Sequence, residues 1–467
     1  MAQDAAGGAP SALKKGLGLL DATTIVTGGM IGSGIFIVSA DIARQVNSPG
    51  LLLLTWIVTA LLTMIAALSY GELAAAMPQA GGQYVYLREA FGPMIAFLFG
   101  WTFFVVIQTG TIAAVAVAFA KFAGVFFPWI SAENVLLDLG VAKIHMQQIV
   151  GIAVILILTW VNTRGIGMGA LVQNVFTIAK VGALLAMVAL GLVLGRNETA
   201  VTANFGQNFW ANADWSWTVL TLTGVAMVGS LFSSDSWNNI TFLAGEMKNP
   251  RKHLPLALAI GVGSVSVIYL LANVVYLNVL PLEAIKTAPQ DRVGTAVVQS
   301  FLGAGAEKWM AAAIMISTFG CVNGLVLAGA RVYYAMANDG LFFRLCGRVN
   351  PETQTPNISL GVQCLWACLL TLTGKYGDLL DYVIFAVLLF YVLTIWGIFV
   401  LRRKRPDLER PYKAFGYPVL PLLYILFAGL IEALLLVYKP NYTWPGLIIV
   451  LLGIPVYFVW KKNEAKA

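Results

Sequence analysis

Charge is scarce in this chain. Asp, Glu, Lys and Arg make up 11% of its 467 residues, against 59% hydrophobic ones. A soluble domain carries about 25% charged residues, and its water-facing surface cannot be covered with less than half of that. The deficit excludes a soluble globular fold and makes lipid the solvent. Histidine is scarcer still: His145 and His253 are the only two, both in expected loops. Neither H-E-x-x-H nor G-x-S-x-G occurs, so the usual constellations of a membrane enzyme are missing. The four cysteines, Cys321, Cys346, Cys364 and Cys368, avoid every expected external loop, which implies no disulfide framework. Cys364 and Cys368 lie four apart without a histidine nearby and are expected to pack, not to hold a metal. No metal site and no cofactor is expected. The first fifteen residues are polar, hold Lys14 and Lys15 and show no cleavable signal peptide, so the first apolar span is expected to direct insertion.

What is abundant is apolar runs, and the mean hydropathy is +0.81. Segments of about 20 apolar residues recur, the length that crosses ~30 Å of hydrocarbon at 1.5 Å per residue. Twelve are expected: about 20–42, 50–76, 93–122, 147–163, 169–194, 218–245, 254–280, 308–337, 358–373, 378–401, 418–438 and 443–460. A cytoplasmic N-terminus puts 19 of the 29 Lys and Arg inside and nine outside, with Lys180 left within a span. The largest block runs from Arg402 to Arg405, with Arg410 and Lys413. That distribution follows the positive-inside rule, so a net charge of +7 needs no nucleic-acid partner. An even number of spans returns Lys461, Lys462 and Lys466 to the cytoplasm.

Two spans break their own helical pattern. Thr27–Phe36, in span 1, holds four glycines in eight residues and the triplet Gly32-Ser33-Gly34. Each glycine costs about 1 kcal/mol against alanine in a continuous helix. Close helix contact through Gly28 and Gly32 would account for part of this, but the dense triplet exceeds what packing needs. Gly229–Asn239, in span 6, has seven polar or charged residues among eleven, including Asp235. A carboxylate at bilayer depth costs several kcal/mol unless partnered. Irregular backbone at that depth is tolerated only where it lines a cavity. Spans 1 and 6 lie five apart and run in opposite directions, which points to inverted five-helix repeats with the site between them. Freed amides at a half-helix N-terminus suit a carboxylate, and freed carbonyls suit an ammonium. Together they fit a zwitterion, hence an amino acid.

Several stretches then resemble one family. Gly32-Ser33-Gly34-Ile35-Phe36 is similar to the G-S-G-I-F motif of the amino acid–polyamine–organocation transporters. Pro78–Leu87, Gly245-Glu246 with Asn249-Pro250-Arg251 and Leu254-Pro255, and Asn323-Gly324 with Arg331 and Asp339-Gly340 resemble later segments of the same family, in order. The likeness is closest to the L-amino-acid transporter branch. It implies an all-α membrane protein of LeuT-type fold: a core over 17–401, with repeats at about 17–194 and 218–401. A cytoplasmic tail over 1–16 precedes it, and a basic loop, helices 11 and 12 and a C-terminal tail (402–467) follow. It implies that Ile31, Gly32, Ser33 and Gly34 present amides to the substrate carboxylate. Phe232 would be the aromatic gate, and carbonyls near Thr27, Phe232 and Ser233 would receive the ammonium. Lys180, in span 5, would stand where sodium-coupled relatives hold a cation, with Ser317 and the position of Cys321 as partners. Cys321 departs from the family's hydroxyl there, and a thiol is a poor acceptor. Asp235 is a second departure, with three roles open to it: binding a cationic side chain, pairing with Lys180 through water, or carrying a proton. Light subunits in the family reach a heavy subunit through a cysteine after span 3. Residues 123–146 have none, so no disulfide-linked heavy subunit is expected.

The expected function is sodium-independent exchange of L-amino acids, neutral ones first and cationic ones as a second class, by alternating access in the cell membrane. Proton-coupled symport is the alternative. A transporter-like nutrient sensor would add a soluble signalling domain, for which no segment is long enough, and a channel would keep its helices continuous.

Overall fold

The computed structural model describes residues 13–131, 133–138, 143–213, 216–373 and 376–464, without the side chains of 376–382, 442, 463 and 464. Most of the expected N-terminal tail, and Lys466, lie outside the described residues.

All twelve apolar segments are helical. Among the described residues, ten stretches are long and apolar enough to cross a membrane. The first, Leu19–Val46, is two helices, α1 (Leu19–Met30) and α2 (Gly34–Val46). Next come α3 (Pro49–Ala76), capped by Ser48 with Pro49 in its first turn, and the short α4 (Gln83–Phe91). Pro93–Ala123 follows as α5 (Pro93–Thr102), a π turn over Phe103–Ile107 and α6 (Gln108–Ala123). A small antiparallel hairpin, β1 (Val135–Asp138) with β2 (Lys143–His145), leads into α7 (Met146–Thr163) and α8 (Ile166–Val193).

After α9 (Glu198–Phe205), span 6 begins as α10 (Trp217–Ser233), stops, and resumes as the single turn α11 (Asn239–Phe242). The break leaves α10 with 17 residues, one of two expected spans among the shorter apolar helices. Beyond it lie α12 (Pro250–Val279), α13 (Leu282–Lys286), α14 (Val293–Leu302) and the 33-residue α15 (Ala306–Asn338). The other short span is α16 (Asn357–Thr373), followed by α17 (Tyr376–Lys404), α18 (Val419–Tyr438) and α19 (Pro440–Glu464).

The broken helices lie at the centre of the bundle. α1 packs against α12, α8 and α15, while α2 packs against α10. Both accounts of the glycine run hold, at different residues. A Cβ on Gly28 would sit 2.1 Å from Gln173 Nε2 and 2.2 Å from Thr177 Oγ1 on α8, so Gly28 serves close packing. Residues 31–33 form the break itself.

Two buried ion pairs tie the ends of the bundle. Arg331, on α15, donates Nε to Glu246 Oε2 at 2.8 Å and Nη2 to Oε1 at 3.0 Å, both side chains 0% exposed. The backbone carbonyl of Glu246 also accepts the amides of Gly16 and Leu17 just before α1. Glu72, near the end of α3, accepts Arg402 Nε and Nη2 (2.9 and 2.6 Å) and the amide of Ala414 at 2.7 Å, with Arg410 Nε at 3.3 Å. Part of the basic block that reads as a topology signal is thus spent on a structural carboxylate.

Candidate functional site

A helix end leaves four carbonyls or four amides without intrahelical partners, and at membrane depth no bulk water is there to take them. The carbonyl end of α1 is almost fully provided for by side chains. Lys180 Nζ, on α8, donates to Gly28 O and Ile31 O, both at 2.6 Å, and to Ser317 O at 3.2 Å. Cys321 Sγ donates to Gly29 O at 3.2 Å. Tyr269 Oη, on α12, donates to Met30 O at 3.0 Å. The Ser317 hydroxyl donates to Ile31 O and Gly32 O at 3.1 and 3.0 Å. Lys180 is 1% exposed, so its ammonium has traded water for three carbonyl oxygens.

The expected partners of Lys180 are therefore rearranged. Ser317 reaches it through its backbone carbonyl, not its hydroxyl. Cys321 does not serve as its acceptor, because the thiol is turned to Gly29 as a donor.

The amide end of α2 is different. Its first turn starts at Gly34, where the helix dipole is positive and the leading N–H groups have no intrahelical acceptor. Gly32, Ser33 and Gly34 line a cavity whose other wall holds Phe232, Ser233 and Asp235. Thr111 on α6, Ser236 in the break of span 6 and Cys321 on α15 also line it. Its volume, as room for the centre of a water-sized sphere, is about 20 Å³, enough for about one water. The site is closed to anything much larger than that unless these walls part. Gly34 is one of the walls: a Cβ there would meet Ser233 Oγ at 2.2 Å.

Six of the eight expected substrate residues thus come together. Thr27 and Ile31 do not line this cavity. Thr27 O accepts the amide of Ile31 at 3.0 Å, and Ile31 is spent on Lys180 and Ser317. Of the carbonyls expected to receive an ammonium, Phe232 O accepts the amide of Asp235 at 3.1 Å, and Ser233 O accepts Tyr269 Oη at 3.1 Å. Tyr269 therefore spans both breaks with one hydroxyl.

Asp235 stands at the junction of three cavities. Tyr391 Oη, on α17, donates to its Oδ1 at 2.7 Å. Tyr391 in turn packs with Tyr70 and Trp237, ring centroids 5.7 and 5.1 Å away. Nothing in the sequence around Tyr391 or Tyr269 separates them from packing aromatics, since each sits in an apolar helix far along the chain. A polar partner for a buried carboxylate was the only available hint.

The model of the family described as amino acid permease matches residues 17–460. The chain is 31% identical over 469 residues to the mouse (Mus musculus) large neutral amino acids transporter small subunit 2, covering 98% of this chain and 83% of that protein. It is 30% identical over 458 residues to the serine/threonine exchanger SteT of Bacillus subtilis, covering 97% and 98%. It is 29% identical over 456 residues to the mouse b(0,+)-type amino acid transporter 1, covering 96% and 88%. A chain of many membrane-length helices, two of its spans broken around one shared cavity, belongs to the amino acid permease family.

Proposed function

We propose that this protein is a sodium-independent exchanger of L-amino acids that works by alternating access. In this reading the chain crosses the membrane twelve times, both termini are cytoplasmic, and ten helices form two inverted repeats of LeuT type at about 17–194 and 218–401. The helices over 402–467 are accessory. The amides of Gly32, Ser33 and Gly34 bind the substrate carboxylate, and Phe232 closes over it. The second lone pairs of Phe232 O and Ser233 O take the ammonium. Neutral amino acids are the main substrates, and the Asp235 carboxylate is the feature that would admit cationic ones. With no cysteine in 123–146, the chain works without a disulfide-linked heavy subunit.

One observation carries the sodium independence. Lys180 Nζ occupies a cage of three carbonyls, Gly28, Ile31 and Ser317, the ligand chemistry that would otherwise hold a hard cation. A tethered charge needs no ion from solution. Proteoliposomes loaded with unlabelled amino acids test this by uptake of radiolabelled ones. Uptake should require internal amino acid and be unchanged when sodium is replaced by choline, and a sodium requirement would refute it. Lys180→Ala removes the one cation that the three carbonyls share and should lose most of the rate.

Proton-coupled symport is the second reading. It is favoured by the buried carboxylates Asp235 and Glu432, the latter with Oε1 unpartnered among the described residues. Uptake into empty vesicles driven by an inward proton gradient would support it over exchange.

A further inference from the structure

Next to the closed cavity lies an inner chamber, and the two share Thr111, Asp235 and Ser236. Phe99, Phe103 and Phe390 form its apolar side. Its polar side is almost entirely committed elsewhere. Gln83 Nε2 donates to Thr394 Oγ1 at 3.1 Å, and its Oε1 accepts Asn238 Nδ2 at 2.9 Å. Gln108 Nε2 donates to Leu325 O at 2.7 Å, and the Thr111 hydroxyl to Ile107 O at 2.6 Å. Asn239 differs. It lines the chamber, is 2% exposed, and its Nδ2 has no partner among the described residues.

A buried amide without a partner is a standing cost, which a ligand group of the right kind removes. An acceptor oxygen would satisfy Nδ2. Asp235, across the same chamber, can accept a proton donor beyond Tyr391, because a carboxylate has about four lone-pair directions. A group that both accepts and donates suits this pair, and it does so whichever way the Asn239 amide is turned. A hydroxyl or a carboxamide is such a group. A methyl or isobutyl group is not, and an ammonium offers donors only.

We propose that the inner chamber receives the substrate's side chain, and that Asn239 selects amino acids ending in a hydroxyl or carboxamide over apolar ones of the same shape. Serine, threonine, asparagine and glutamine are then the favoured class. The inference rests on the exchanger reading above and names the side chains that site prefers. Sites built to hydrogen-bond a side chain discriminate against isosteres that lack the group, because their own polar atoms are left unpaired.

Two isosteric pairs test it in alanine-loaded proteoliposomes: threonine against valine, and asparagine against leucine, each competing with radiolabelled alanine. In the unmutated protein the polar member should compete about tenfold or more better. In Asn239→Leu the preference, read as the ratio within each pair, should vanish or reverse. Asn239→Ser, which keeps a hydrogen-bonding group, should retain part of it and decides the matter if Asn239→Leu does not fold. Equal competition within each pair by the unmutated protein overturns the inference alone. So does an undiminished preference in Asn239→Leu. Failure to exchange any amino acid overturns the exchanger reading and this inference with it.

Discussion

Asp235 and Tyr391 share one hydrogen bond across 156 residues of chain, and what Asp235 does for a substrate depends on how much of the carboxylate that bond leaves over. An ionised carboxylate that also meets a cationic side chain contributes about 1.5–3 kcal/mol through charge-assisted hydrogen bonding. That is roughly ten- to a hundredfold in affinity. Arginine should therefore lose that much more competition than alanine on Asp235→Asn, measured against radiolabelled alanine at two pH values. Equal losses for both would assign the carboxylate to holding α17 through Tyr391. A flattened pH dependence for both would make it a proton carrier. Asp235 itself was legible, because a carboxylate inside an apolar span is expensive and stands out. Tyr391 was not, since a tyrosine in an apolar helix has the same signature whether its hydroxyl is used or idle.

The two broken helices were legible from the Gly32-Ser33-Gly34 triplet and from the polar run after Gly229, both of which penalise a continuous helix. Who satisfies the broken ends was not. The carbonyls of α1 are taken by Lys180, Tyr269, Ser317 and Cys321, residues 149 to 292 positions away. Only packing brings them there. Lys180 is the one partner that stands out in the sequence, as a lysine near the middle of an expected span. Tyr269 is the joint between the breaks, with Met30 O on one side and Ser233 O on the other. Tyr269→Phe keeps the ring against Trp56, 5.5 Å away, and removes both bonds. The expected result is a stability loss of about 1–3 kcal/mol, because the two carbonyls lose the single hydroxyl proton they share. It would be read as a lower melting temperature in detergent, with exchange slowed severalfold. Unchanged melting and exchange would show that the bridge carries no weight.

Across the whole molecule, the twelve apolar segments and the helices agree to within a few residues at most ends. Hydropathy is a dense signal, repeated over every span. The ion pairs that lock the assembly are the opposite, each resting on two or three residues from distant helices. Glu246 and Arg331 are legible as parts of two motifs, but their contact is not. Arg331→Ala would leave Glu246 buried and unpaired, which typically costs about 3–5 kcal/mol. Thermal unfolding should fall sharply for Arg331→Ala and much less for Arg403→Ala. Similar melting of both variants would contradict this role for the pair.

The contact between Gly34 and Ser233 has a genetic consequence. The gap between the start of α2 and the end of α10 has room for one hydroxymethyl group, and Ser233 supplies it. Gly34→Ser alone should abolish exchange, because its Cβ would overlap Ser233 Oγ and Cβ. Gly34→Ser combined with Ser233→Gly moves the group to the opposite helix and leaves only a 3.2 Å approach to the backbone of residue 233, which a shift of a few tenths of an ångström relieves. The two positions should thus behave as mutual suppressors. A selection for restored growth on an amino acid, starting from Gly34→Ser, should recover second-site changes at residue 233 ahead of those elsewhere in the chain.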